Sequence, residues 1–277
     1  MFSNRYIFIY TAVMVAAVAV LLALASTLLR PMQQRNEETA TMQELLKAAG
    51  KNVDRSAAID LYNRTVTAEW RVNREGDVVA VYDNDRGSWK QTRGKADIKR
   101  AFDSDLKEEM EKAAAHEADA AAPDGFFPVF VCNGGETYIV PLQGKGLWGA
   151  IWGYIALGKD FNTIEGATFS HKGETPGLGA EIASEPFQRH FIGKKLFDEN
   201  GNFTSITVQK GGAEKYPGDV SHAVDAVSGG TITSNGVTAM LEDCLSCYVP
   251  FFRKRQSLAA RPAAADTVEV SHPVENR

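Results

Sequence analysis

From residue 6 to residue 29 the chain carries no charge, and its positions are aliphatic, aromatic or small hydroxyl residues. A helix needs about 20 such residues to cross a hydrocarbon core of roughly 30 Å. The pattern predicts a transmembrane helix over 6–30, after a short flank at 1–5. Tyr6 and Tyr10 would sit at one interface, and Arg30 with Pro31 would end the span at the other. A signal peptide is the competing reading, because Ala23-Leu24-Ala25 resembles a cleavage site. The apolar region of such peptides usually runs only about 7–15 residues. The longer run here predicts an uncleaved anchor.

Past the anchor the hydrophobic period changes several times. Residues 36–50 open acidic, place Met42, Leu45 and Leu46 on one side and close at Gly50, which predicts a juxtamembrane helix within a linker at 31–54. Residues 65–72 and 78–83 flank a turn at 73–77 and predict a hairpin. Over 95–122, Ile98, Phe102, Leu106 and Met110 recur at intervals of four and predict one charged, alanine-rich helix stopped by Pro123. A β-rich block follows at 126–132, 137–142 and 147–157. Residues 179–193 read as helical despite Pro186, and 195–211 as a hairpin around Asn200-Gly201. Residues 233–252 predict a helix with Val237, Met240, Leu241, Cys244, Leu245 and Tyr248 on one face. The fold class expected is α+β: a single N-terminal transmembrane helix followed by a globular domain at 55–255 with an antiparallel sheet and flanking helices. Residues 256–277 have the composition of a disordered tail.

The 277 residues suffice for a sizeable core. A net charge of −5 argues against a nucleic-acid partner, since phosphate binding needs a basic face. Counting Arg5 against Arg30, Arg35, Lys47 and Lys51 would leave the body in the cytoplasm, though long domains cross membranes largely regardless of charge. Three cysteines are too few for a disulfide framework. Cys244 and Cys247 form C-x-x-C inside an expected helix, where core thiols, a redox pair or a local disulfide are the options. The histidines show no metal-ligand spacing.

Three stretches can carry chemistry. In the first, Asp225 to Val237, Ser228, Gly229, Gly230 and Thr231 crowd ahead of an apolar helix that Thr233 or Ser234 can N-cap. A helix start offers unpaired N–H groups and partial positive charge, a seat for a phosphate, and Thr231 would hold its hydroxyl beside it. A capped turn without a ligand explains the same residues. The second, His171 to Ile182, is a Gly/Pro loop offering Glu174, Thr175, Gly177 and Leu178. Its backbone amides can face a planar or anionic ligand, or it is simply structural. The third, Gly144 to Tyr154, offers Lys145 and the aromatic Trp148, with Trp152 and Tyr154 read as strand core.

Taken together, Ser228-Gly-Gly-Thr231, Glu174-Thr-Pro-Gly-Leu-Gly179 and Gly144-Lys-Gly-Leu-Trp-Gly149 resemble the motifs of the C subunits of the bacterial Na+-translocating NADH:quinone oxidoreductases. The first resembles the Ser/Thr-Gly-Ala-Thr motif at which a flavin transferase esterifies FMN to the last threonine. The resemblance runs from the anchor to about Phe252. It implies an FMN-binding domain, covalent FMN on Thr231 through its phosphate, and Asp225 as part of the transferase's recognition sequence. It implies flavin contacts from Ser228, Gly229, Gly230, Glu174, Thr175, Gly177, Leu178, Trp148 and Lys145. It further implies an electron relay working with other subunits of a multi-subunit membrane redox complex toward quinone, with no acid–base catalyst. The flavin domain would lie on the periplasmic side, against the charge count. Gly230 departs from the family's usual alanine, a change expected to be sterically harmless to the transferase and to leave the loop less preorganised. Two alternatives stand: the homologous flavin subunit of an ion-pumping ferredoxin:NAD+ complex, and a membrane-anchored binding module without cofactor.

Overall fold

The first helix, α1 (Asn4–Ala48), runs without a break from the apolar segment into the body. In this computed structural model, which describes residues 3–92 and 98–259, the expected span and juxtamembrane helix are one element. Pro31 does not end it. Proline withdraws a single N–H from the helical ladder, and the Gln, Glu, Ala, Met, Leu and Lys residues that follow are good helix formers. Among the described residues nothing buries the apolar half, and it is long and apolar enough to cross a membrane. The far end is different. Leu45, Leu46 and Ala48 are fully buried, and the Trp152 indole donates to the Glu44 carboxylate at 3.0 Å.

The body is built on seven antiparallel strands in the order β3-β2-β1-β4-β5-β6-β7. These are β1 (Val66–Val72), β2 (Val78–Asp83), β3 (Ser88–Thr92), β4 (Phe127–Cys132), β5 (Thr137–Lys145), β6 (Ala150–Leu157) and β7 (Ile164–His171). Alternation sorts the side chains between two cores, because successive residues of a strand face opposite sides. Val129, Val140 and Ile155 face a helix at the C-terminal end of the body, α5 (Thr231–Ala259). Phe130, Ile139 and Ala156 face α1 and the short α2 (Ala58–Thr65). The sheet is therefore covered on both sides, and β4 is buried at every position. All six residues assigned to one face of the last helix are buried.

The sequence pattern misleads in three places. The charged helix expected over 95–122 forms only as α3 (Leu106–Ala118), and residues 95–97 lie outside the described ones. The stripe Ile98-Phe102-Leu106-Met110 is broken because its members join different cores: Phe102 packs on Tyr62 beside α1, whereas Leu106 joins the α5 side. Two β1 side chains claim the backbone that a longer helix would need. Glu69 accepts from the Phe102 amide, and Arg71 donates to the Lys99 and Arg100 carbonyls. Asp105 then caps α3 by accepting from the Lys107 and Glu108 amides.

The second misreading is at 195–211, where only Phe197 and Phe203 bridge around the turn. Beyond that turn β8 (Thr207–Gln209) pairs in parallel with β9 (Ala223–Asp225) instead of completing a hairpin. The third is at 179–193, which forms a 3-10 turn over Gly179–Ala183 and the single-turn α4 (Glu185–Arg189). In addition, α5 extends to Ala259, four residues into the expected tail, and residues 260–277 lie outside the described ones. The cysteines are free, and burial pushes the Cys132 and Cys244 thiols up to about 12. Cys244 bonds to the backbone of Gln143, tying α5 to β5.

Arg71, 2 % exposed, is neutralised by Glu109 at 3.0 Å. Removing one partner of such a pair leaves an uncompensated buried charge. Glu109→Ala is expected to cost about 3–5 kcal/mol, read by urea unfolding of the detergent-solubilised chain. The exposed pair Lys159–Glu136 serves as the control, with an effect of less than about 1 kcal/mol for Glu136→Ala.

Candidate functional site

Three loops meet where β5, β7 and β9 end. The first, 146–149, joins β5 to β6; the second, 172–179, follows β7; the third, 226–230, leads from β9 into α5. The carboxylate of Glu174, which is 4 % exposed, ties the second loop to the first and to the start of α5. Its Oε1 accepts from the Trp148 amide at 2.8 Å, and its Oε2 accepts from the Thr233 hydroxyl at 2.5 Å. The Glu174 amide in turn donates to His171 Nδ1 at 3.1 Å. A single side chain thus binds its own loop to the first loop and to the first turn of α5.

Glycines make room for it. A Cβ on Gly146 would stand 2.6 Å from Oε1, and one on Gly179 would stand 2.5 Å from Oε2. Neither glycine is replaceable without moving the carboxylate. The 226–230 loop interlocks with the 172–179 loop in the same way. Gly229, at φ +72°, lies beneath Leu178, whose Cδ2 occupies the space of a side chain. Gly230 is buried against the Gly179 backbone.

The expected site residues are brought together, though not all in the expected roles. Thr231 is exposed at the first position of α5, and Ser228 and Gly229 are exposed beside it. Leu178 and Trp148 are exposed, at 43 % and 68 %, and with Leu147 and Ile232 they surround the site with uncovered apolar surface. Glu174 departs from its expected role as a wall of the ligand seat: it is turned inward and both its oxygens are engaged. Thr175 supplies the turn, its carbonyl accepting from the Leu178 and Ala180 amides. Gly177, at φ +73°, donates its amide to Glu181. Lys145 is exposed, and Gly236 of α5 lies against its carbonyl. Asp225 ends β9 and accepts from the Ala213 amide at 2.7 Å.

Thr233 and Ser234, expected as N-caps, lie inside α5 and are 1 % exposed. Thr233 serves Glu174, and the Ser234 hydroxyl accepts from the Val227 amide at 3.2 Å. Helix α5 starts two residues earlier, at Thr231, so the first-turn amides lack intrahelical partners beside that hydroxyl.

A surface cavity of about 530 Å³ adjoins Thr231. Its walls include Ser228, Gly229, Asp225, Lys210 and Glu214. The last two were not anticipated; the only hint was the pair Gly211-Gly212 between them, both at positive φ. The arrangement fits a ligand with a charged end and a planar apolar end. A polar cavity and first-turn amides lie at Thr231, and Leu178, packed over Gly229, leaves apolar surface exposed on the neighbouring loop.

An FMN-binding domain family matches residues 146–246, which contain most of this site. The chain is similar to the crystal structure of the C subunit of Na(+)-translocating NADH-quinone reductase from Parabacteroides distasonis, with 40% identity and a TM-score of 0.64. That alignment covers 81% of this chain and 96% of the other. Similarity to the Shewanella oneidensis NqrC structure is 27% in identity, with a TM-score of 0.58, over 80% of this chain and 99% of the other. A curated C subunit of Na(+)-translocating NADH-quinone reductase from Neisseria meningitidis is 41% identical over 125 residues, 44% of this chain and 46% of its own length. The chain thus spans about half the length of the curated relatives it matches.

Gly179 and Gly230 should respond differently to alanine. At Gly230 a Cβ would meet Val227 Cγ1 at 3.2 Å and Gly179 Cα at 3.3 Å, which is tight but relieved by small shifts. Gly179→Ala must displace Glu174 and Thr233, leaving buried groups unpaired, at about 1–3 kcal/mol each. Thermal unfolding is expected to drop sharply for Gly179→Ala and only slightly for Gly230→Ala.

Proposed function

The chain belongs to the family formed by the C subunits of Na(+)-translocating NADH-quinone reductases, and from that premise we propose that it holds FMN covalently on Thr231 as an electron-transfer subunit of a membrane Na+-pumping NADH:quinone oxidoreductase. The observation that carries this reading is the sorting of hydroxyls around the start of α5. Thr233 and Ser234 are buried and bonded, whereas Thr231 is exposed on the cavity wall beside unpaired first-turn amides. An ester there would set a phosphate against those amides and the positive end of the helix dipole.

FMN, when bound, supplies the redox chemistry; the protein's part is to bind, orient and tune it. The Thr231 oxygen fixes the phosphoryl end. Leu178 and Trp148 offer apolar surface to a planar ring, and Gly229 keeps the backbone low beneath Leu178. No acid or base is needed from the chain. Asp225, held by the Ala213 amide on the cavity wall, is accessible for recognition by a flavin transferase during maturation.

The apolar half of α1 anchors the subunit in the bacterial inner membrane beside the other members of the complex. A tether of this kind raises the effective concentration of redox partners without a new contact. Na+ passage belongs to neighbouring subunits, because a single helix offers no path. We place the flavin domain on the periplasmic side, where the transferase acts, since long domains translocate largely independently of flanking charge.

Expression with an active flavin transferase, denaturing electrophoresis and in-gel flavin fluorescence test the attachment. Wild-type chain and Thr233→Val should fluoresce, and Thr231→Val should be dark while remaining folded. A dark wild-type band would instead support an anchored binding module without cofactor.

A further inference from the structure

We infer that Glu174 is a positioning residue whose fixed negative charge sets the reduction potential of the flavin held at Thr231; this rests on the attachment reading above. Its carboxylate lies in the body of the site. One oxygen is bonded to the amide of Trp148, whose ring is exposed at the site, and the other to Thr233, two residues along α5 from Thr231. Gly146 and Gly179 bring backbone against both oxygens, so water is kept from them.

The charge is not cancelled. Among the described residues no lysine, arginine or histidine forms an ion pair with Glu174. Lys145, at the end of β5, and Lys172 stand in solvent, and His171 receives a hydrogen bond from the Glu174 amide, not from its side chain. The two donors that reach the carboxylate are neutral. A buried charge is screened far less by water and salt than an exposed one. It therefore opposes the arrival of an electron on a ring seated over the same loops and lowers that ring's potential. The Thr233 hydroxyl points its positive end at the carboxylate and offsets part of this field.

Two substitutions then move the potential in opposite directions. Glu174→Gln keeps the size and removes the charge. Thr233→Val keeps the charge and removes a donor that offsets it. The full chain, flavinylated in the membrane by co-expressed transferase and purified in detergent, is titrated redox-potentiometrically by flavin absorbance, with flavin content measured by gel fluorescence. Glu174→Gln is expected to raise the midpoint potential and Thr233→Val to lower it. General loosening of the loops would move both the same way, and that result overturns the inference, as does an unchanged potential in Glu174→Gln. If Glu174→Gln fails to fold or load, Thr233→Val decides alone: a lowered potential supports the inference, and an unchanged or raised one overturns it. A fluorescent wild type with the wrong signs defeats this inference only, whereas a dark wild type defeats the attachment reading and this one together.

Discussion

A carboxylate withdrawn from water and shared between two loops and the first turn of α5 is the constraint on which this site depends. Burying a charge is costly unless hydrogen bonds satisfy it, and Glu174 is satisfied only while the Trp148 amide and the Thr233 hydroxyl are both in place. The two loops and the start of α5 are thereby coupled: none can leave without stranding the carboxylate. The glycines follow from the same requirement. Gly146 and Gly179 are small because the carboxylate passes between them, and Gly229 is bare because Leu178 lies over it. Thr231 is held outward as a result, since the next hydroxyl along the helix is committed inward.

The scaffold explains why the tie can hold. The antiparallel strands β5, β6 and β7 end at two of these loops, and α5 lies across the sheet with ten buried residues. Thr231 stands at the start of that helix, so its position is set by the packing of the whole element. On the opposite face the end of α1 is packed into a core of its own. The long N-terminal helix is thus a structural part of the domain at its far end.

Much of this was legible in the sequence. An uninterrupted apolar run, strands of alternating character and a helix with its apolar face intact report burial directly, because burial is what produces those periods. The three glycine-rich stretches were recognisable as one site by their resemblance to a known family. What could not be read was which side chain faces which way. Glu174 looked like a ligand contact and is a buried tie, and Thr233 looked like a cap and is that tie's donor. Both outcomes depend on contacts across 59 positions of chain, which no local pattern encodes. The stripe through Ile98 and Phe102 failed for a related reason. Glu69 and Arg71, far away on β1, took the backbone bonds that a continued helix would have made.

The central claim is that the side-chain oxygen of Thr231 bears the nucleotide. Peptide mass mapping of mature protein from cells containing the transferase tests it most directly. The account predicts an FMN-sized addition, localised by fragmentation to residue 231, with Ser228, Thr233 and Ser234 unmodified. A flavin-free peptide, or an adduct on any of those three neighbours, would contradict it.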